Sequence, residues 1–231
     1  MSFNLWRSLV DGTKISAIPD NENLHFNYDI QSQPQSDGQT IDPLVDQSGN
    51  DFDGSAIGPA EMATGEFNNN DVANLIGEDD GWSVSASNGW SDLEQPFTIY
   101  WVGELADSLT GRFQHIIRRD GNFQIRWDEG DTNWEFRLGN SLAGSSDRGV
   151  NMIGVVGDGS NSLMEEDRSE TVSGDGGEEN LDDDFDVGGA ADESSDAAFT
   201  GFYGQLLAYN VGHDSETRNE VYDYLETQWR L

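Results

Sequence analysis

The stretch that decides the fold is Phe199-Thr-Gly-Phe-Tyr-Gly-Gln-Leu-Leu-Ala-Tyr209, followed by Asn-Val-Gly-His-Asp214 and by Ser-Glu-Thr-Arg-Asn-Glu-Val-Tyr-Asp-Tyr-Leu-Glu-Thr-Gln-Trp229. Its first part is apolar at both alternating sets of positions, which predicts a central strand with both faces covered. One face is expected to hold Phe199, Tyr203, Gln205, Leu207 and Tyr209, and the other Phe202, Leu206 and Ala208. Asp214 or Ser215 as N-cap, with apolar residues at helical spacing after it, predicts a short closing helix.

Composition limits the class of protein. The chain has 231 residues, with 45 acidic and 11 basic side chains and a formal net charge of -34. This length suits one large all-β domain. A net charge of this size makes the chain repel itself strongly at ordinary salt. In molar salt the Debye length falls to about 3 Å, so the repulsion is screened, and the charge therefore indicates a halophilic origin. The 7 Trp, 11 Phe and 6 Tyr exclude an acidic disordered chain, and the absence of Cys excludes thiolate sites.

Three stretches resemble, in the expected order, the laminin-G-like, concanavalin A-like jelly-roll domains. They are Leu44-Val-Asp-Gln-Ser-Gly-Asn50 with Asp53, then Pro96-Phe-Thr-Ile-Tyr-Trp-Val-Gly103, and then the closing strand and helix quoted above. Together they span the chain from Leu44 to Trp229. The resemblance implies an all-β fold: an antiparallel jelly-roll β-sandwich of the lectin and glucanase type, with a short C-terminal helix.

The predicted organisation is an N-terminal segment over residues 1–23 and one laminin-G-like β-sandwich domain over residues 24–231. The N-terminal segment contains apolar residues without a clear period. It is therefore either an edge strand beside the carboxyl-terminal strand or a docking arm. In a docking arm, Phe3, Leu5 and Trp6 would attach the subunit to a larger particle, since apolar anchors dominate interface energies.

Local patterns predict most of the other elements. Alternation of apolar and polar residues predicts a strand over residues 24–30, and a dense β pattern predicts strands over residues 97–105, 112–118, 122–127, 134–138 and 150–156. Val72, Leu75 and Ile76 are expected to form a short helical turn. The acidic, glycine-rich residues 165–193 are expected to form a long loop.

Glu165, Asp167 and Glu170 match the Glu-x-Asp-x-x-Glu strand that one glucanase family of this fold carries. The resemblance would make them nucleophile, helper and acid, and retaining hydrolysis needs two carboxyls about 5 Å apart. Here the intervening residues, Glu166 and Arg168 among them, are polar. The strand would then have no buried face to hold the carboxylates rigid. A chance match to the motif in so acidic a chain is therefore the favoured explanation. The sequence predicts a protein that is not an enzyme, with a glycoside hydrolase using Glu165 and Glu170 as the alternative.

Two acidic clusters are candidate sites for Ca²⁺ or Mg²⁺, which prefer oxygen ligands. The first contains Asp46, Asp51 and Asp53, and the second contains Asp182 and Asp184. Neither has the spacing of a dedicated calcium loop. Plain turn chemistry and a solvated halophilic surface are the competing interpretations.

Two tryptophans are the candidates for carbohydrate binding. Trp82 and Trp90 lie among glycine and serine residues, which favours exposure, and an exposed indole stacks on sugar rings. Trp134 alternates with apolar residues and is expected in the core.

Domains of this type without a signal peptide or an enzymatic motif resemble surface modules of tailed viruses. The sequence therefore predicts a structural or adhesion protein on the virion surface of a haloarchaeal tailed virus, as a capsid turret, decoration or tail-associated subunit assembled in the host cytoplasm. Expected partners are other virion proteins, further copies in a homo-oligomer, and host-surface glycans. Nucleic acid and membrane are not expected, because basic clusters and long apolar segments are absent. A cellular lectin-like protein of a halophile is the remaining alternative.

Overall fold

Two largely antiparallel β-sheets pack face to face, and a helix lies on the outside of one of them. The computed structural model describes residues 17–77, 80–85, 93–107, 113–119, 122–144, 149, 151–181, 183–189 and 197–231. This architecture confirms the predicted all-β sandwich with a C-terminal helix.

The strands divide between the two sheets. In chain order they are β1 Leu24–Asp29, β2 Gly54–Ala56, β3 Glu61–Phe67, β4 Asn70–Leu75, β5 Gly81–Val84, β6 Phe97–Leu105, β7 Phe113–Arg118, β8 Phe123–Asp128, β9 Asn133–Leu138, β10 Asn140–Ala143, β11 Met152–Gly157, β12 Ser162–Glu166, β13 Ser169–Gly174, β14 Phe185–Gly188, β15 Ala197–Ala198 and β16 Gly201–Tyr209, and the helix α1 is Ser215–Trp229. The first sheet has the order β13-β12-β11-β6-β16-β4-β3, with β1 also paired to β16. The second has the order β10-β9-β8-β7-β14-β5-β2, with β15 paired to β7.

Strand β16 is central, as predicted. It pairs with β6 along its whole length. On its other side, its first residues pair with β4 and its last residues pair with β1. The described end of the N-terminal segment lies beside it, where the Tyr209 hydroxyl donates to the carbonyl of Pro19 at 3.2 Å. Residues 1–16 of that segment lie outside the described residues.

A bulge in β16 overturns the predicted faces of this strand. The register shifts between Tyr203 and Gln205, so that Tyr203 shares the inter-sheet core with Leu206 and Ala208. Phe202 falls on the outer face, against the cluster beneath α1. The predicted pattern assumed unbroken alternation, whereas one extra residue in a strand reverses every later side chain.

Helix α1 covers the outer face of the first sheet. Asp214 is its N-cap, because the carboxylate accepts the backbone N–H of Thr217 at 2.9 Å. Trp229 is fully buried and donates from Nε1 to the amide oxygen of Gln205 at 2.9 Å. Gly204 leaves room for this indole, since a Cβ there would lie 3.0 Å from the ring.

Two predicted segments differ from the structure. Val72 and Leu75 lie in strand β4, not in a helical turn, because Asn68 and Asn69 both have positive φ and close a tight hairpin between β3 and β4. The predicted long loop over residues 165–193 contains the end of β12 and the whole of β13 and β14.

Candidate functional site

Trp82 is not the exposed sugar platform that the sequence predicts. Its exposed fraction is 0%. The indole Nε1 donates to the carbonyl of Ile41 at 2.7 Å, and the ring packs edge-on to Tyr203. Nearby glycines mark close packing here, since a Cβ on Gly54 would lie 3.1 Å from the Trp82 Cβ. The second candidate, Trp90, lies outside the described residues. Trp134 is buried, as predicted.

The first acidic cluster makes turn contacts. One Asp46 oxygen accepts the backbone N–H groups of Asn27 and Ser48, each at 2.9 Å, and the other accepts the Ser48 hydroxyl at 2.6 Å. Asp53 accepts the N–H of Asp46 at 2.8 Å, and Asp51 is exposed with φ 61°. Hydrogen bonds of this kind are typical of turns, and a metal ion at this cluster stays a prediction.

The second acidic cluster is only partly described. Asp182 lies outside the described residues, and Asp184 accepts from the Ser85 hydroxyl at 3.2 Å. Within the described ranges, no group of three or more His, Asp or Glu side chains converges as metal ligands would.

The three glucanase-like carboxylates do not share one strand. Glu165 is the last residue but one of β12, Asp167 lies in the turn, and Glu170 lies in β13, paired in register with Glu165. Glu165 is buried and accepts Arg218 Nε at 3.0 Å on both oxygens and the Tyr222 hydroxyl at 2.9 Å. This carboxylate therefore anchors α1 to the first sheet.

The proposed docking residues Phe3, Leu5 and Trp6 lie outside the described residues. Of the helices in the described ranges, none is long and apolar enough to cross a membrane.

A pocket of ≈ 250 Å³ opens at the rim of the first sheet, where β4 and β6 end and β16 begins. We call it the rim pocket. Its described lining residues are Asn74, Leu75, Ile76, Glu104, Leu105, Ala106, Asp107, Thr200, Gly201 and Phe202. Its volume lies just below the range of about 300–1,000 Å³ that is usual for ligand pockets.

Strand register creates a recognition row across the pocket. Phe202 is the direct partner of Asn74 on one side and of Glu104 on the other. Directly opposed side chains project from the same face with Cβ atoms about 5 Å apart, so a half-buried aromatic ring lies between an amide and a carboxylate. We call Asn74, Phe202 and Glu104 the polar–aromatic row.

Backbone contacts hold the rim in place. The buried Asp80 carboxylate accepts the N–H groups of Ile76 at 2.8 Å and Gly77 at 2.7 Å. Ile76 is thereby held at the mouth of the pocket with 64% of its surface exposed. Gly201 has φ 146° and no space for a Cβ, which would collide with the carbonyl oxygen of Glu104.

These groups suit a ligand rich in hydroxyl groups. Carboxylates accept hydrogen bonds, an amide both donates and accepts them, and an aromatic face packs against C–H groups. Sequence reasoning missed this site, because the bulge puts Phe202 on the outer face and the register brings together residues far apart in sequence. The one local signal was Gly204 within an otherwise apolar strand, which is typical of a bulge.

No family model matches the sequence, and no curated protein matches it in sequence. Solved structures are similar in fold. Domain 4 of the GH43 extracellular arabinanase AbnA from Geobacillus stearothermophilus, solved in complex with arabinotriose, is 16% identical with a TM-score of 0.60, over 87% of this chain and 98% of that one. The receptor-binding domain of botulinum neurotoxin C/D mosaic serotype is 14% identical with a TM-score of 0.64, over 88% and 51%. Trypanosoma rangeli sialidase is 12% identical with a TM-score of 0.59, over 92% and 34%.

These identities show the fold alone, a jelly-roll-like β-sandwich. The chain spans about half the length of the neurotoxin domain and about a third of the sialidase.

Proposed function

We propose that this protein is a carbohydrate-binding β-sandwich domain that binds glycans in the rim pocket and catalyses no reaction. The polar–aromatic row carries the proposal, because it places a half-buried ring between two groups that hydrogen-bond to sugar hydroxyls. Domain 4 of the arabinanase, which has this fold, was solved with an arabino-oligosaccharide, and this supports a sugar as ligand.

The test measures binding of arabinotriose and of a panel of immobilised glycans in molar salt. Phe202→Leu keeps an apolar side chain but removes the ring, and it is expected to weaken binding about three- to tenfold. Phe113→Leu is the matched control, because Phe113 is also half-buried but lies in the second sheet beneath Arg126. Equal binding by the two variants would exclude the rim pocket as the site.

The non-enzymatic part of the proposal is supported by the contacts of Glu165. The Glu165 carboxylate accepts hydrogen bonds from Arg218 and Tyr222, and these contacts attach α1 to the first sheet. Incubation with the glycans that bind should release no new reducing ends. Any release that is abolished by Glu165→Gln in a folded variant would favour the glycoside hydrolase.

The wider biological setting in this proposal is the virion surface of a haloarchaeal tailed virus. It is supported by the net charge of -34 and by the resemblance to virion surface modules. Deletion of residues 1–10 is expected to abolish incorporation into particles while the sandwich stays folded. If the truncated protein is incorporated at the normal level, Phe3, Leu5 and Trp6 are not needed for docking.

A further inference from the structure

The carboxylates of the rim pocket differ from the structural ones beside it. Asp80 is engaged by two backbone N–H groups. Glu104 and Asp107 are exposed, and within the described part of the chain neither takes part in an ion pair. Both oxygens of each carboxylate therefore remain available to a ligand in the pocket.

The charged groups in the described lining are all anionic. Glu104 and Asp107 only accept hydrogen bonds, and Asn74 supplies an amide. None of the described lining residues is Lys, Arg or His. A carboxylate or sulfate on a sugar would meet two like charges and no cation, in a chain that already carries a net charge of -34.

The row adds a feature that favours a cation. Phe202 lies directly beside Glu104 across the β6–β16 pair. The face of an aromatic ring attracts an ammonium group, and a neighbouring carboxylate accepts its N–H groups. A sugar ring stacked on Phe202 with an amine directed to Glu104 would satisfy both contacts together.

We infer that the rim pocket selects an amino sugar with a free ammonium group over its neutral counterpart and excludes acidic sugars. This inference rests on the proposed function and names the class of ligand for the same site. Because the pair with Glu104 is partly exposed, the expected preference for the amine is about three- to tenfold.

The experiment compares a glucosamine trisaccharide, its N-acetylated counterpart and a uronic-acid trisaccharide, by calorimetric titration of the full chain. Molar salt is required, since it suppresses unspecific attraction of any cation to so acidic a protein. The pH is kept low enough to protonate the amine. The wild type is expected to bind the amine best, the N-acetyl sugar more weakly and the acidic sugar not at all.

Glu104→Gln is the decisive variant and Glu216→Gln its control. Glu216 is exposed in the first turn of α1, so the control makes the same change in charge away from the pocket. Glu104→Gln should remove the preference for the amine. It should weaken binding of the amine more than binding of the N-acetyl sugar, because an amide still hydrogen-bonds to sugar hydroxyls but no longer pairs with an ammonium group. Glu216→Gln should keep the full preference.

The outcomes separate the two proposals. If no trisaccharide or other glycan binds, the proposed function fails. If the N-acetyl sugar binds as tightly as the amine and Glu104→Gln has no effect, the inference fails and the proposed function stands. A preference that survives equally in both variants would reflect the overall charge and would also overturn the inference.

Discussion

Replacing His115 by glutamine is expected to flatten the dependence of stability on pH. His115 lies in β7 with 1% of its surface exposed, directly opposite Arg126 in β8. Burial is the main cause that lowers the pKa of its imidazole, and the positive charges of Arg118 and Arg126 add to it, while the amide of Gln124 opposes it. The pKa falls from 6.5 to about 3.

The sign and size of this pH dependence of stability follow from the linkage between protonation and folding. The folded state keeps His115 neutral, whereas the unfolded chain binds a proton as the pH falls below 6.5. Stability is therefore lost as the pH falls from about 6.5 to about 3. Between pH 7 and pH 5 the loss is about 2 kcal/mol, and it approaches about 5 kcal/mol at the acid limit. Burial also lowers the pKa of His213. The His115→Gln variant should therefore still lose some stability as the pH falls.

The assay is urea denaturation at pH 7 and pH 5 in molar NaCl, which keeps screening of the carboxylates constant. The His115→Gln variant should lose about 2 kcal/mol less than the wild type over this interval. His25→Gln controls for replacing a buried imidazole as such. An imidazole NMR titration midpoint near 6.5, or a His115→Gln slope equal to that of the wild type, would refute the reasoning.

Three other outcomes are expected. Gly204→Ala should destabilise the fold by about 1–3 kcal/mol in urea, because the added methyl group would lie 3.0 Å from the Trp229 ring; an unchanged midpoint would contradict this packing. Tyr222→Phe should cost about 1–2 kcal/mol in the same measurement, because it removes the 2.9 Å hydrogen bond to the buried Glu165 carboxylate; equal stability would show that the contact is dispensable. Dilution from molar to millimolar salt should unfold a chain of net charge -34, and a circular dichroism spectrum indifferent to salt would contradict the halophilic interpretation.

Sequence patterns predict a strand of this protein where its residue types favour a strand as clearly as its spacing does. The predicted range 97–105 matches β6, because this run is rich in β-branched and aromatic residues, which favour a strand even without alternation. The predicted helical turn at Val72 and Leu75 is wrong, since these residues lie in β4: Val72 packs beneath α1, while Ala73 and Leu75 face the inter-sheet core. Burial on both faces removes the alternation, and the remaining spacing of apolar residues imitates a helix. Strand β13 is a polar edge strand, so it has no apolar face to detect.

The candidate site was less predictable than the fold, for a physical reason. The exposure of an aromatic side chain depends on what packs against it: Trp82 has small neighbours and is buried, whereas Phe202 lies in an apolar strand and is half-exposed. The row itself depends on register. Asn74 and Glu104 become neighbours of Phe202 only when β4 and β6 pair with β16. No local sequence pattern predicts the register of that pairing.

Two contrasting groups of acidic residues occur in the described part of the chain, and the contrast bears on salt dependence. Asp46, Asp80 and Glu165 are buried, and their oxygens accept backbone, hydroxyl or guanidinium donors. Such short contacts within the fold are screened much less by salt than charges at the surface. Glu104 and Asp107 belong to the exposed group, whose mutual repulsion grows as salt is removed. Low salt should therefore act through the exposed group. Neutralising exposed acids should lower the salt requirement, whereas neutralising Glu165 should raise it.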